Sequence, residues 1–432
     1  MSGVLRIELR CSLLVRVAPL AAVGLVALML SDRHQWQGVW PEASAAITAP
    51  LYYLGPALAG AAAWEVRRRC GERESRNGGE PWAGPLLAAY LLAGAGVVAV
   101  GAACAVVVNL SAFVPAGFLW PSYLIIALAV VSECLAAGVL LGRLGGPAWF
   151  APVVAVLACF LRLITTQGTG VGTPESRLTR VFLSGHAWVE LAPVGVTLAV
   201  VEAAIVVAAA LALPNLLAAL RARREHAAFP WPRRTRAAVT AGCAVCVLGT
   251  GLVLTGPPLM VERAIPEHPV CTTDTKLQLC VWPEDAARLP ALATLAQRAS
   301  AQAEVLGLEL PDHVSAYGLE PGASNFTIES DSVWFAANDL AGLIVGSVVP
   351  VDCLPTDADP GVEDFYRAYG ELQGLIELHL QGADTRPAGM GDTRDIDRAE
   401  IARVAKSDQA TQNAWIQARL DTMRDIAAEQ CR

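Results

Sequence analysis

The feature that most constrains this chain is a series of apolar stretches, each about 20 residues long, that recur through residues 1–256. A helix rises about 1.5 Å per residue, so about 20 residues cross the roughly 30 Å hydrocarbon core of a bilayer. The composition agrees, because 54% of residues are hydrophobic and only 17% are charged, whereas soluble domains carry about 25% charged residues. An ordinary soluble protein and a disordered one are thereby disfavoured. We predict an all-α membrane bundle of about seven transmembrane helices, at residues 13–31, 45–65, 85–108, 121–142, 147–166, 192–214 and 237–256.

The placement of arginine predicts the orientation of these spans. Residues 1–256 contain 19 Arg and no Lys against 12 acidic residues, which gives a charge of +7. Cytoplasmic loops are enriched in basic residues. Fifteen of these arginines lie before or at the start of span 1, after span 2, between spans 4 and 5 or after span 6, and three lie in the opposite loops. We expect a multi-pass protein of the plasma membrane with a cytoplasmic N-terminus, and seven spans then place the C-terminal region outside the cytoplasm.

Residues 257–432 are predicted to form a separate extracytoplasmic soluble domain. They carry 13 basic and 28 acidic residues, a charge of -15, which with +7 gives the net -8 of the chain. The domain follows a Gly-Pro-Pro break at residues 256–258. Residues 269–283 have the pattern of a hairpin and residues 327–335 alternate like a strand, whereas 284–306, about 338–348, 361–382 and 397–430 have helical patterns. We predict an α+β, mostly helical fold.

Four of the 11 cysteines fall in this domain, namely Cys271, Cys280, Cys353 and Cys431. An even number of cysteines in an oxidising compartment indicates disulfides, here two, for which three pairings exist. Cys271 and Cys280 flank a strand–turn–strand pattern, so we favour a Cys271–Cys280 bond. The remaining pair, Cys353–Cys431, would then attach the end of the chain to the body of the domain.

No motif of a known catalytic class is present. The sequence lacks HExxH, GxSxG and SxxK, none of the six histidines has another four residues away, and neither lysine ends a P-loop. We therefore expect no enzyme, no cofactor and no metal site, although a peptidase with an unrecognised site in the outer domain remains an alternative.

Three ionisable residues lie within predicted spans: Glu133 in the fourth, Arg162 in the fifth and Glu202 in the sixth. Charged groups inside a bilayer are costly and therefore mark functional candidates. Three interpretations are open at this stage: a role in transport, a structural interhelical ion pair and a protonated glutamate.

The arrangement of the first 220 residues resembles the membrane subunits of ABC-2 type exporters. The features that carry the resemblance are an Arg-bearing amphipathic start (residues 6–10), an Arg-rich segment after span 2, and an outer segment between spans 5 and 6 (residues 174–190). The chain departs from that family by a seventh span and an acidic outer domain. The whole layout is also similar to uncharacterised actinobacterial-type membrane proteins with an extracytoplasmic C-terminal domain.

The resemblance implies a transporter subunit that works with a separate ATP-binding cassette ATPase, in a dimeric membrane assembly without nucleic acid. The N-terminal helix and the arginines Arg67, Arg68 and Arg69 would form the docking surface, and the plainer interpretation of these arginines is a charge that only sets topology. The predicted function is the membrane-spanning subunit of an ABC-type transporter. The alternative is a membrane-anchored sensor or binding module whose outer domain recognises a ligand or partner.

Overall fold

The computed structural model divides the chain into two compact units, Met1–Arg263 and Ala264–Arg432, called here the first and second units. The residues it describes are 2–33, 36–74, 83–112, 117–144, 149–164, 167–168, 181–182, 185, 187–225, 259–308, 310–320, 325–328, 333–350, 353–355, 361–383 and 396–430.

Helices make up most of the described part of the first unit. Their bounds are α1 (Ser2–Cys11), α2 (Leu13–Ser31), α3 (Trp40–Ala46), α4 (Leu51–Glu74), α5 (Ala83–Ala112), α6 (Pro121–Leu144), α7 (Phe150–Ile164) and α8 (Pro193–Glu225). Strands β1 (Gln167–Gly168) and β2 (Val181–Phe182) pair in parallel, and β3 (Val189–Leu191) and β4 (Met260–Glu262) pair antiparallel. Because β4 pairs with β3, the first unit extends to Arg263 rather than ending at residue 256.

Four helical segments in the described residues are long and apolar enough to cross a membrane. They are Leu13–Ser31, Ala83–Ser111, Pro121–Leu144 and Pro193–Leu213. These segments coincide with the predicted spans 13–31, 85–108, 121–142 and 192–214. The predicted span 237–256 lies outside the described residues.

The predicted span 45–65 is interrupted, because α3 ends at Ala46 and α4 begins at Leu51. Pro50 lacks a backbone N–H and disfavours a helical conformation at the residue before it, which explains the break. Helix α4 then runs for 24 residues but carries Glu65 and a run of arginines in its second half. It is therefore not an uninterrupted apolar span, although it is a central helix of the bundle.

The predicted span 147–166 is also shorter than expected. Helix α7 has 15 residues, or about 22 Å at about 1.5 Å per residue, which is less than the roughly 30 Å of a bilayer core. The described residues therefore support four of the seven predicted spans and replace two others by a broken helix and a short one.

Small residues bring α4 and α6 into close contact at the centre of the bundle. A side chain at Gly138 would lie 2.3 Å from the carbonyl oxygen of Ala59, and one at Gly142 would lie 2.8 Å from that of Ala63. Such separations are impossible for a Cβ atom, so α6 requires glycine at both positions. Close packing through small residues is how apolar helices associate where the hydrophobic effect does not hold them together.

The second unit combines a small sheet with helices, in agreement with the predicted mostly helical character. Its sheet has the order β5 (Val270–Cys271), β6 (Gln278–Val281), β7 (His313–Ala316) and β8 (Asn325–Phe326). β5 and β6 are antiparallel, and the other neighbours are parallel. A 3-10 turn at Pro283–Arg288 is followed by α9 (Leu289–Leu306), α10 (Trp334–Gly346), α11 (Val362–Gln381), α12 (Arg398–Ala405) and α13 (Gln409–Gln430).

Two predicted elements of this unit differ in the structure. The strand expected at 327–335 is wrong, because β8 ends at Phe326 and Trp334 already begins α10. The helix expected at 397–430 is divided, since α12 ends at Ala405. Asp408 begins the next helix by accepting a hydrogen bond from the N–H of Thr411 at 2.9 Å, as an N-cap residue does.

Cys271 and Cys280 form a disulfide between β5 and β6, at the pairing the sequence favoured. Cys353 is also disulfide-bonded. Its predicted partner, Cys431, lies outside the described residues.

Candidate intramembrane site

Three helices of the first unit bring their ionisable side chains together. Arg162 on α7 lies between Glu133 on α6 and Glu202 on α8. Its Nη2 donates to Oε1 of Glu202 at 2.5 Å, and its Nε lies 3.4 Å from Oε1 of Glu133. The three intramembrane candidates of the sequence therefore form one cluster, called here the Glu–Arg–Glu cluster.

The cluster lies at the middle of α6 and at the end of α7. Glu133 is the thirteenth of the 24 residues of α6, so about 18 Å of helix precede it. Arg162 stands two residues before the end of α7, where the helix dipole favours a cation. Gly55, in the second turn of α4, faces Cys134 and Leu163, since a side chain at Gly55 would lie 3.0 Å from Sγ of Cys134. The start of α4 and the end of α7 thus both lie close to the centre of α6.

Helix ends that lie beside the centre of a long apolar helix, as those of α4 and α7 do, are unusual in a membrane protein. Each leaves backbone groups without intrahelical partners, and such groups are tolerated within the hydrocarbon region only where protein or a water-lined cavity surrounds them. The side chains of Arg162, Glu133 and Glu202 retain exposures of 28%, 18% and 20%. They are therefore packed within the bundle without being fully sealed inside it.

The cluster carries one positive and two negative formal charges. Charged groups of this kind are costly in a medium of low dielectric constant unless they are paired. Removal of one partner from such a group would leave an uncompensated charge. The thiols of Cys134 and Cys159 are in hydrogen-bond contact next to the cluster.

A second polar network holds α1 against α4. The carboxylate of Glu65, which is fully buried, accepts hydrogen bonds from the Ser12 hydroxyl at 2.9 Å and from the Tyr90 hydroxyl at 2.8 Å. It also accepts from the backbone N–H groups of Leu13 and Leu14, at 3.0 and 3.1 Å. Those amides begin α2 and would otherwise have no partner. Glu65 therefore fixes the junction between α1 and α2 to the body of the bundle.

Arg69, one of the predicted docking residues, completes this network. Its Nη1 donates to Oε2 of Glu8 on α1 at 2.6 Å, and its Nη2 donates to Oε1 of Glu65 at 2.5 Å. Of the other predicted docking residues, Arg67 is half-buried and Arg68 is exposed. The sequence patterns did not predict that Glu65 would be buried and would hold several hydrogen bonds. The available signal was a carboxylate at the end of an apolar run, which needs partners if it is buried.

The second unit has its own buried charges on the turn Pro283–Arg288. Asp285 is 5% exposed and Arg288 is 6% exposed. The pKa of Asp285 is raised to about 6, mainly by burial; the positive charge of Arg288 opposes this rise, and the negative charge of Glu284 adds to it. Within the part of the chain that the structure describes, no group of three or more His, Cys, Asp or Glu side chains could hold a metal ion.

These buried groups fall in the segment of the chain that matches a known family model. The model is described as a domain of unknown function, DUF7224, and it matches residues 279–425. No curated protein and no solved structure matches the chain. The DUF7224 segment begins in β6 and ends in α13, so it lies within the second unit.

A second set of charges in the DUF7224 segment is fully paired. Arg419 donates through Nε to Glu371 at 3.0 Å and through Nη2 to Glu400 at 3.5 Å. Its guanidinium also stacks on the ring of Trp415, 4.1 Å from the centroid, and the indole N–H of Trp415 donates to Glu400 at 2.8 Å. This cluster joins α11, α12 and α13, and its satisfied contacts indicate a structural role.

Proposed function

We propose that this chain is the membrane-spanning subunit of an ABC-type transporter that moves a substrate across the plasma membrane with a separate ATPase. The observation that carries the proposal is the Glu–Arg–Glu cluster, which joins the middle of α6 to the end of α7 and to α8. A bundle with a purely anchoring role has no need of three ionisable groups at that depth, because apolar residues would hold the helices at lower cost. In this proposal the N-terminus is cytoplasmic and the second unit lies outside.

The geometry of the cluster supports a movement between two arrangements. Arg162 is closer to Glu202 than to Glu133, by 2.5 Å against 3.4 Å. A small rotation of α7 would bring Arg162 closer to Glu133 than to Glu202. Helix α7 would then move with α6 rather than with α8. Two nearly equivalent partners for one arginine are the kind of bistable contact on which alternating access depends.

The network around Glu65 supports a route by which an ATPase would act on the bundle. Helix α1 is amphipathic, with Val4 and Ile7 exposed beside the arginines Arg6 and Arg10. A partner that docks on α1 and Arg68 would move the bundle through the bonds of Glu65, since these bonds join α1 and α2 to α4. Two membrane subunits, identical or different, would form the complete transporter.

Purification of the tagged chain from its native membrane in a mild detergent tests this proposal. We expect an ATP-binding cassette ATPase to co-purify, and we expect its ATP hydrolysis in proteoliposomes to fall when Arg162 is replaced by Leu. The matched control is Arg16→Leu, which removes an arginine that is exposed and lies outside the cluster. Failure of any ATPase to accompany the intact protein contradicts the proposal.

The alternative function is a membrane-anchored sensor or binding module. It is favoured by a second unit with its own core, its own disulfide and buried charged groups. The two functions differ in the partner expected, because a sensor would purify without an ATPase and would respond to a ligand of the second unit.

A further inference from the structure

Helix α1 lies directly before a candidate membrane span. It ends at Cys11, and α2, which is long and apolar enough to cross a membrane, begins at Leu13. Ser12 between them has an extended backbone, so one helix ends and the next begins at this residue. Trp64 of α4, next to the Glu65 that binds the start of α2, is 45% exposed, and tryptophan is enriched where a membrane meets water. A span that begins at Leu13 therefore places α1 at the boundary between the hydrocarbon core and water.

One side of α1 packs against the bundle. Leu5, Glu8 and Leu9 share this side, because residues three and four apart lie on one face of a helix. Glu8 is buried and pairs with Arg69 of α4 at 2.6 Å, and the two leucines are half-buried. The bundle thus covers this side of α1 and leaves the opposite side uncovered.

The uncovered side of α1 is divided into an apolar strip and a basic strip. Val4 and Ile7, three residues apart, are 47% and 60% exposed. Arg6 and Arg10, four residues apart, are exposed beside them. Among the described residues, neither of these two arginines forms an ion pair. These four residues are called here the α1 surface.

The neighbouring charged groups do not neutralise the α1 surface. The carboxylates of Glu8 and Glu65 are both bound to Arg69. The guanidinium of Arg16 donates through Nε and Nη2 to the backbone oxygen of Arg10, at 3.3 Å each, and so caps the end of α1. In the described part of this region, the α1 surface therefore stays positively charged next to exposed apolar side chains.

We propose that the α1 surface binds an anionic phospholipid of the surrounding membrane. The phosphate group of the lipid accepts hydrogen bonds from the guanidinium groups of Arg6 and Arg10, which match phosphate oxygens in pairs. The upper part of the acyl chains covers Val4 and Ile7. A helix with one basic and one apolar strip lies in the headgroup region of a bilayer in this way, and basic residues next to a span attract anionic lipids.

Both strips are needed for this choice of ligand. A free phosphate would contact the two arginines and leave Val4 and Ile7 in water. A neutral phospholipid would cover Val4 and Ile7 but would bring no net charge to the arginines. An anionic phospholipid supplies both the charge and the apolar cover.

The proposal goes beyond the transport function, because it gives α1 a lipid partner whether or not an ATPase docks at the same end of the bundle. The ATPase of the proposed function would reach α1 from the water, whereas the lipid reaches it from the bilayer. A chain that purifies without an ATPase can still prefer anionic lipid, and a chain that carries one can lack this preference. The failures of the two proposals are therefore distinguishable.

The test measures thermal unfolding of the full-length protein in a neutral detergent. The probes are dioctanoyl phosphatidylglycerol, its neutral counterpart dioctanoyl phosphatidylcholine, and glycerol 3-phosphate, which has the phosphate without the acyl chains. We expect phosphatidylglycerol to raise the midpoint with a half-saturating concentration at least about tenfold below that of phosphatidylcholine. Glycerol 3-phosphate should give no shift in the same concentration range.

Two variants assign the preference to the α1 surface. Arg6→Gln should raise the half-saturating concentration of phosphatidylglycerol about fivefold, and Arg6→Gln with Arg10→Gln should raise it about 30-fold, because each arginine at an anionic surface contributes a similar factor. Both should leave the response to phosphatidylcholine unchanged. Arg33→Gln is the matched control, since Arg33 is an exposed arginine just beyond the opposite end of α2, and it should keep the preference.

Three results would overturn the proposal. They are an equal response of the unaltered protein to the two lipids, a response to glycerol 3-phosphate as strong as that to phosphatidylglycerol, and an unchanged preference in the arginine variants. A surface that only receives a protein partner would give the first of these results. The single variant Arg6→Gln removes one exposed side chain, so it keeps the third result measurable if the double variant fails to fold.

Discussion

Arg162 carries the guanidinium that Glu133 and Glu202 share. Replacement of Arg162 by Leu would leave Glu133 and Glu202 without their shared cation inside the bundle. Loss of one partner from a buried charged group costs about 3–5 kcal/mol, and we expect a loss near the lower figure because the cluster is partly exposed. The measurement is the thermal midpoint of the first unit in detergent.

The neutral version of the cluster provides the control for this prediction. In the triple variant Glu133→Gln, Arg162→Leu and Glu202→Gln, no charge remains to be compensated, so most of the lost stability should return. A triple variant as unstable as Arg162→Leu alone would mean that the cost comes from lost packing rather than from charge.

In the second unit, Asp285 should lower the free energy of unfolding as the pH rises from about 4 to about 6. Its pKa is raised from 3.8 to about 6 in the folded protein, so between these values the unfolded chain has lost a proton that the folded chain retains. Stability then falls with pH, by about 3 kcal/mol in total, and becomes level above pH 6. Chemical denaturation at a series of pH values measures the effect. In Asp285→Asn this part of the pH dependence should disappear, and an unchanged profile would contradict the assignment.

Among the elements, α1 should be the one most sensitive to Glu65. Replacement of Glu65 by Ala removes the acceptor for Ser12, for two backbone amides of α2 and for Tyr90. We expect faster hydrogen exchange in residues 2–16, because local opening of α1 no longer breaks these bonds. Arg68→Ala serves as the control, since Arg68 belongs to the same helix but is exposed. Equal protection of α1 in both variants would show that Glu65 does not hold it.

The elements that sequence patterns predicted are those set by local composition. Long apolar runs gave α2, α5, α6 and α8, because length and hydropathy alone distinguish a span. The break before α4 follows from Pro50 inside an apolar run, and the hydropathy of residues 147–166 does not mark where α7 ends, so an apolar run of the right length was not sufficient evidence.

The sequence predicted which residues belong to the candidate site but not that they contact one another. Glu133, Arg162 and Glu202 stood out as charges in apolar runs, whereas their meeting depends on the depth and rotation of three helices, which sequence spacing does not determine. Asp285 falls at the start of the helical pattern predicted for residues 284–306. The structure instead buries it with Arg288, because the turn packs into the second unit.

For the whole molecule, disulfides and topology make a joint prediction. A thiol reagent that cannot cross membranes, added to intact cells, should label Cys271 and Cys280 only after a reductant is added, because they are bonded to each other and expected outside. Cys11 is free and exposed on α1, so it should react only in inside-out vesicles. Labelling of Cys11 in intact cells would contradict the orientation, and immediate labelling of Cys271 would contradict the disulfide.

The ladder between β3 and β4 joins two parts of the chain that flank residues 192–259. If these paired strands lie at one aqueous face of a membrane, the chain between them returns to the face from which it departed. If α8 crosses once, an odd number of further crossings, such as the one predicted at 237–256, must come before Met260. Whether the number of membrane crossings between β3 and β4 is even or odd therefore follows from the six residues paired in this ladder. It does not follow from the hydropathy of any one apolar segment. An insertion that adds one crossing between the strands must separate them.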